Sequence, residues 1–349
     1  MRLFDYSFIG NFSLSIRQSK ILNNIHLTEE RISVWTQHYP EAMRLFYEHR
    51  MIDDICGTHE IEHIPVCRAD VPLLLSGELE PRNVDEQKVL GQRDAIQFWE
   101  SLVEKKCLES DDFLKLHRLL MIRHDLNGGK FRTVNDPHIG YGTATAVEKP
   151  ATMTEIRYVL SSFCRSYNQS FSDPDIDSLL LALCCALDYF SIAPFNNGNG
   201  RMYRLVLNLL LARAGVTVQM YSSLEKQILD HLDNHMVALS MSTNGWGGDF
   251  NGYNFFIDDI LHNLNHCVDF LNEALPPRAC GRRSKSERIE HIVSSARGEF
   301  NIGYVSEHAP DVSEVLIRNQ LQSLSKSGVL EKAGNTRGTT YRTKGGDGE

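Results

Sequence analysis

The stretch Ala193-Pro194-Phe195-Asn196-Asn197-Gly198-Asn199-Gly200-Arg201-Met202-Tyr203-Arg204 decides the fold. Ahead of it, residues 176–192 are apolar on nearly every side, the pattern of a helix buried at the centre of a bundle. After it, residues 201–214 form a second apolar helix, and Gly215 suits the position just past its end. Glycines 198 and 200 let the backbone come close to a ligand, and the N–H groups of a first helical turn, at the positive end of the dipole, favour an anion. Arg201 and Arg204, three apart, add two guanidinium forks that match phosphate oxygens. A plainer reading has the glycines only turning the chain and the arginines capping carbonyls. Two arginines in register with two glycines and an asparagine shift the weight toward phosphate.

Working outward, the body is mostly α. Apolar residues recur at helical spacing from Glu29 onward, through Ile32, Trp35, Met43, Phe46 and Tyr47. A further amphipathic stretch covers about 85–106, and Ser110 is placed to cap the next helix, which carries Phe113, Leu116, Leu119 and Leu120. Between 128 and 150, glycines at 128, 129, 140 and 142 and the β-prone run 143–147 predict a loop with a short hairpin. Helix resumes near Thr154. Pro276-Pro277, followed by Gly281-Arg282-Arg283-Ser284-Lys285, predicts an exposed linker. The organisation that follows is an N-terminal helical region at 1–80, a core at 81–275, a linker at 276–284 and a small domain at 285–344. In that domain we expect helices at 286–297, near Val305 and at 313–327, then β runs at 329–332 and 339–343 around a glycine turn, the order of a winged helix-turn-helix. Residues 345–349 read as a disordered end.

Composition bounds the class of function. With 42% hydrophobic residues the 349-residue chain can bury a sizeable core, and its length suits two or three domains. A formal charge of -9 argues against wholesale coating of nucleic acid, yet residues 278–349 hold 12 Lys and Arg against 9 Asp and Glu. No stretch approaches the roughly 20 apolar residues that span a bilayer, so a soluble protein with no membrane partner is expected. Asp5 stands where a secretory apolar run would begin, and the eight cysteines, Cys184-Cys185 among them, lack C-x-x-C spacing. Reduced thiols in the cytoplasm are the expectation.

Pro194, Phe195, Gly198, Asn199, Gly200, Arg201 and Arg204 stand in one unbroken string at the spacing H-P-F-x-[DE]-G-N-G-R-x-x-R, and by them the chain resembles the Fic family. Two further pieces agree. Gly129-Lys130-Phe131-Arg132-Thr133 with Ile139-Gly140 resembles the stretch ahead of that family's target-binding flap, and Thr58-His59-Glu60-Ile61-Glu62 resembles its [ST]-x-x-x-E inhibitory helix. The likeness runs from about 41 to 264. It implies an all-α Fic-type helical bundle with a small β-hairpin flap that binds ATP with Mg²⁺ and moves AMP onto a Ser, Thr or Tyr hydroxyl of a target protein, itself included. By the same resemblance Gly198, Asn199 and Gly200 would cradle phosphates, with Asn199 also placed among the catalytic positions. Arg201 would bind the inner phosphates, Arg204 the terminal one, and Asn197 the metal. Thr133, Ile139, Gly140, Thr143 and Thr145 would belong to the flap, which pairs with an extended target segment as an added strand. Glu62, one turn after Thr58, would reach Arg204 and displace the terminal phosphate. From its local spacing alone Glu62 reads as a solvated helix-surface carboxylate.

Two positions depart from the pattern. Where the family has the histidine that takes the proton of the attacking hydroxyl, this chain has Ala193, which can accept none. Loss of a positioned general base costs roughly 10²- to 10⁴-fold in rate. Where the family has a metal-holding carboxylate stands Asn197, whose neutral amide oxygen predicts a weaker dependence on Mg²⁺. His63 also occupies a place where the family usually has Gly or Asn. Three accounts of Ala193 are open: a substitution that stops an otherwise intact enzyme, a loss that leaves a nucleotide-binding pseudoenzyme, or service by another base such as His59 or His63. The intact neighbours favour the first.

Other segments carry weaker signals. Residues 244–253 have no nearby Lys or Arg, so their aromatics suit closing the bundle or lining an adenine pocket. Asp258-Asp259 reads as a solvated helix face. In the small domain, Arg318, Asn319, Gln320, Gln322 and Lys326, with Arg337 at the wing tip, would face DNA, but the charge surplus is thin and a protein partner or a homodimer contact is as well supported. Two functions follow: a Fic-type adenylyltransferase restrained through Glu62 and stopped at Ala193, or a nonenzymatic nucleotide-binding regulator acting through the winged-helix module.

Overall fold

The computed structural model describes residues 4–134, 151–246, 252–275, 285–296, 298–308, 312–334 and 339–343. The expected flap at 139–147, the linker at 276–284 and the glycine turn of the small domain therefore lie outside the described residues. The chain divides into two compact units, Met1–Leu275 and Pro276–Glu349.

At the centre of the first unit is α7 (Ser178–Ile192), every residue of which from Leu179 to Ile192 is buried. Its start is set by Asp177, whose carboxylate accepts the Leu180 N–H at 2.8 Å, a standard N-cap. The next helix, α8 (Asn199–Arg213), is buried along its whole length and packs against α7. Gly215 follows its C-cap with φ +80°, the left-handed conformation that ends helices.

Around this pair lie α1 (Ile16–His38), α2 (Pro40–Ile61), α4 (Val84–Ser101), α5 (Ser110–Met121), α6 (Ile156–Phe171), α9 (Leu224–Asp230), α10 (Leu232–Thr243) and α11 (Tyr253–Ala274), with the short α3 (Val71–Ser76) beside α2 and α4. Gly91 lets α4 and α5 approach closely, since a Cβ there would come within 2.5 Å of the Leu120 carbonyl oxygen. Arg50 fastens α2 by donating to Asp54 on its own helix at 2.9 Å, to Glu100 of α4 at 3.1 Å and to the Met220 carbonyl at 3.2 Å.

Three sequence expectations change. Helix begins at Ile16, not near Glu29, because Ser15 and Gln18 form a reciprocal capping box; the polar run after it hides a buried stripe through Ile21, Leu22 and Ile25. The N-cap of α5 is Glu109, not Ser110, since the Glu109 and Asp112 side chains satisfy the first turn between them. Asp259 is not merely solvated: its carboxylate lies 2.6 Å from Nδ1 of the fully buried His235.

The buried carboxylate of Asp188 joins distant parts of this unit. It accepts from Tyr6 Oη at 2.9 Å, Trp246 Nε1 at 2.8 Å and Tyr253 Oη at 2.9 Å, so the aromatics at 246 and 253 close the bundle. No helix among the described residues is long and apolar enough to cross a membrane.

The second unit comprises α12 (Lys285–Ser295), α13 (Ile302–His308) and α14 (Glu314–Lys326), then β1 (Leu330–Ala333) antiparallel to β2 (Thr340–Thr343) in the register Leu330 opposite Thr343. Phe300 exchanges backbone hydrogen bonds with Tyr341 at 3.0 and 2.8 Å, adding a bridge to the hairpin. Ile289, Val293, Val305, Ile317, Leu321 and Leu330 fill its separate core.

Removing the Asp188 carboxylate leaves three buried donors without their acceptor, and each such orphan costs about 1–3 kcal/mol. Asp188→Ala should therefore lower stability by roughly 3 kcal/mol or more and Tyr253→Phe by about 1 kcal/mol. Urea unfolding followed by tryptophan fluorescence checks this, because all three tryptophans, Trp35, Trp99 and Trp246, lie in the first unit.

Candidate functional site

The loop between α7 and α8 is bracketed by two left-handed residues. Ala193, the C-cap of α7, has φ +43°, and Gly198, the N-cap of α8, has φ +75°. A Cβ on Gly198 would press on Met121 Sδ at 3.2 Å and stand near His117 Nε2 and Arg201 Nη2, so the left-handed backbone favours glycine there and the space is tight. The first N–H to enter the α8 ladder is that of Met202, bonded to the Gly198 carbonyl at 2.9 Å.

The side chain of Asn199 turns back into the loop. Its Oδ1 accepts the Phe195 N–H at 3.0 Å and its Nδ2 donates to the Phe195 carbonyl at 2.7 Å, so the side chain locks the loop instead of reaching outward. Asn197 is exposed; its carbonyl is held by His117 at 3.1 Å. Gly200 is buried in the first turn of α8.

Two arginines rise from that turn into different surroundings. Arg204 is fully buried; its Nη2 pairs with Glu62 Oε1 at 2.9 Å and its Nε donates to Thr58 Oγ1 at 2.8 Å. Glu62 is the C-cap of α2, and the backbone turns sharply after it through His63 at φ +54°. Histidine, like Asn, tolerates that region better than most side chains, which accounts for its place where Gly or Asn is usual. Arg201, 5% exposed, has no partner for Nε or Nη1 among the described residues, and its Nη2 reaches only Met121 Sδ at 3.5 Å. Desolvation, with Arg204 adding to it and Glu62 opposing, lowers its affinity for its proton. A buried, unpaired guanidinium is costly unless an anion completes it.

Sequence reasoning missed the groups that hold this loop in place. Arg132 donates from Nε to the Ala193 carbonyl at 2.9 Å and from Nη1 to the Val134 carbonyl at 2.7 Å, and it also bonds to the Ala151 carbonyl, while its backbone N–H meets the Pro194 carbonyl at 2.9 Å. His117 stacks on Phe195 with ring centroids 3.6 Å apart. Its Nδ1 accepts the Gly129 N–H at 2.9 Å, so Nε2 carries the hydrogen given to Asn197, and burial holds the ring neutral with a pKa of about 4. Both had a signal: Arg132 sits within a quoted motif, and His117 lies on the apolar stripe of α5 beside Leu116 and Leu120.

Of the other predicted positions, Thr133 is exposed and its N–H donates to Asn196 Oδ1 at 3.0 Å, next to the loop. Ile139, Gly140, Thr143 and Thr145 lie outside the described residues. Thr58, Glu62, Ala193, Asn197, Gly198, Asn199, Gly200, Arg201 and Arg204 belong to one neighbourhood, at the meeting of α2, α7 and α8. For a metal, Asn197 offers a single neutral amide oxygen, and the described residues hold no group of three or more His, Cys, Asp and Glu able to bind an ion. That donor set does not fit a resident Mg²⁺, which prefers carboxylates together with substrate phosphates.

Residues 107–211 match the Fic/DOC family. Over 137 residues the chain is 31% identical to the protein adenylyltransferase Fic of Drosophila ananassae, and equally to that of Drosophila melanogaster, covering 38% of this chain and 26% of each relative. The chain thus spans about a quarter of the length of these curated relatives. In fold it resembles a Fic family protein from Desulfovibrio desulfuricans, with a TM-score of 0.62 at 17% identity over 97% of this chain and 98% of the other. It is also similar to Fic-1 from Caenorhabditis elegans, with a TM-score of 0.59 at 19% identity over 74% and 73% of the two chains. Motif, buried helix pair and these likenesses agree on a Fic domain at residues 107–211 of this chain.

Proposed function

We propose that the protein is a Fic-type adenylyltransferase that moves AMP from ATP to a hydroxyl of a target protein, restrained by Glu62 and stopped at Ala193. The observation that carries this reading is the contrast at the start of α8: Arg204 is clamped by Glu62 and Thr58, while the Nε and Nη1 edge of Arg201 is buried and has no partner among the described residues. In the reaction, the target oxygen attacks the α-phosphorus, the bond to the β-phosphate oxygen breaks, and pyrophosphate leaves. Arg201 neutralises charge on the inner phosphates, and Gly198, Asn199 and Gly200 supply backbone at the loop. Arg204 meets the terminal phosphate only after Glu62 has left it. The attacking proton needs a base at 193, and the methyl of Ala193 offers none.

The backbone at position 193 suits histidine. Its φ of +43° is a conformation that His adopts more readily than most residues. Mg²⁺ would arrive with ATP, with Asn197 as a neutral contact. The described cysteines form no disulfide, which suits the cytoplasm. Three helices and a hairpin in the second unit support the winged-helix reading, with DNA or a protein as its partner. Ala193 itself favours a second reading, a regulator that binds nucleotide without turning it over and signals through that unit.

Transfer of labelled α-phosphate separates the two readings. Ala193→His with Glu62→Gly should label target protein, or the chain itself, at least about 10²-fold faster than the chain with Ala193; nucleotide binding with no transfer in any variant would leave the regulator. A second outcome concerns affinity. Glu62→Gly should tighten ATP binding about tenfold, some 1.4 kcal/mol, and Arg204→Ala on that background should cancel the gain, as read by calorimetry.

A further inference from the structure

Five buried polar atoms around Arg201 have no hydrogen-bond partner among the described residues. Two are Nε and Nη1 of Arg201 itself. A third is Nε2 of His59, on α2 and 1% exposed; its Nδ1 lies 2.7 Å from the Ile55 carbonyl and donates there, which leaves Nε2 bare. The last two are both ring nitrogens of His124, three residues past the end of α5. An orphaned buried polar atom is destabilising, so a cluster of them marks a place built for something else.

The surrounding charges show what is missing. Burial and then the positive groups keep both rings neutral: His124, at about 4, feels Arg201 of α8 and Lys88 of α4, opposed by Asp125 of its own turn and Asp85 of α4. His59, at about 3, feels Arg201 and Arg204 of α8 and Lys88 of α4. Lys88 is bound to Asp85 at 2.7 Å and Arg204 to Glu62, so neither of these carboxylates is left for Arg201. His117, the other histidine acting with this group, has both nitrogens engaged.

We propose that His59 and His124 are further ligands of the polyphosphate that Arg201 receives, binding it as imidazolium, so that the nucleotide enters together with protons from solvent. An oxyanion against the free edge of Arg201 reverses the sign of the field at both rings, and an opposite charge at that range favours their protonated form. Nitrogens without a partner among the described residues then donate to phosphate oxygens. By linkage, each proton taken up makes the association constant fall about tenfold per pH unit as pH rises from the empty-site value toward the occupied one. The inference rests on the nucleotide reading above and adds ligands outside the glycine motif.

The test is calorimetry of adenylyl imidodiphosphate with Glu62→Gly protein between about pH 6 and about pH 8, in buffers of different ionisation enthalpy, with His124→Gln and His59→Gln versions alongside. Proton uptake should be greater in the parent than in either variant, and affinity should fall more steeply with pH; protonation of the ligand itself is common to all three and cancels. Ring ¹⁵N shifts of the unsubstituted histidines give a second readout, with His124 passing from neutral imidazole to imidazolium when nucleotide is added. Binding that needs Arg201 but shows equal proton uptake in all three proteins, with rings that stay neutral, overturns this inference and leaves the proposed function standing. Absence of nucleotide binding, with Arg201→Ala no different from the parent, overturns both.

Discussion

Everything at the site depends on a loop of six residues that leaves one fully buried helix and enters another. Neither α7 nor α8 has an exposed face along which it could slide, so the loop has little freedom to adjust. It closes by placing a left-handed residue at each end and by folding the amide of Asn199 back onto Phe195. Arg132 and His117 then secure its outer side from two other segments. Catalytic and binding groups need positions held to a fraction of an ångström, and rigid supports of this kind provide that.

The two arginines of α8 show how burial turns spacing into function. Three residues apart, they share a helix turn and differ only in what meets them. Arg204 faces the end of α2 and finds Glu62 and Thr58; Arg201 finds Met121 and two histidines kept neutral by burial first and by its own charge second. Breaking a buried ion pair from one side leaves an uncompensated charge and costs about 3–5 kcal/mol. On the proposed reading a phosphate, which replaces the charge of Glu62, displaces it far more readily than water does. The position of α2 matters in the same way, and it is set by Arg50, well away from the loop.

Much of the fold was legible because strong local signals agree. The apolar run of α7, the glycine past α8 and the alternation of helices and β runs in the second unit each follow from spacing and turn chemistry. The start of α1 was missed because Gln18, Asn23 and Asn24 interrupt the apolar period, though the Ser15–Gln18 pair was there to be read. Asp259 was misjudged because a helix face looks solvated until a neighbour covers it, here α10 with His235.

By itself the sequence determined the helix pair, the glycine turn and the presence of two arginines, because these follow from periodicity and from backbone freedom, which are local. It also determined that position 193 offers no proton acceptor, since an alanine side chain has no lone pair in any fold. Only the tertiary structure decided that Asn199 turns inward, that Glu62 meets Arg204 in spite of His63, and that Nε and Nη1 of Arg201, Nε2 of His59 and both ring nitrogens of His124 have no hydrogen-bond partner among the described residues. Those outcomes depend on which side chains from α2, α4 and α5 arrive beside α8, and desolvation and pairing are properties of that meeting, not of any one segment.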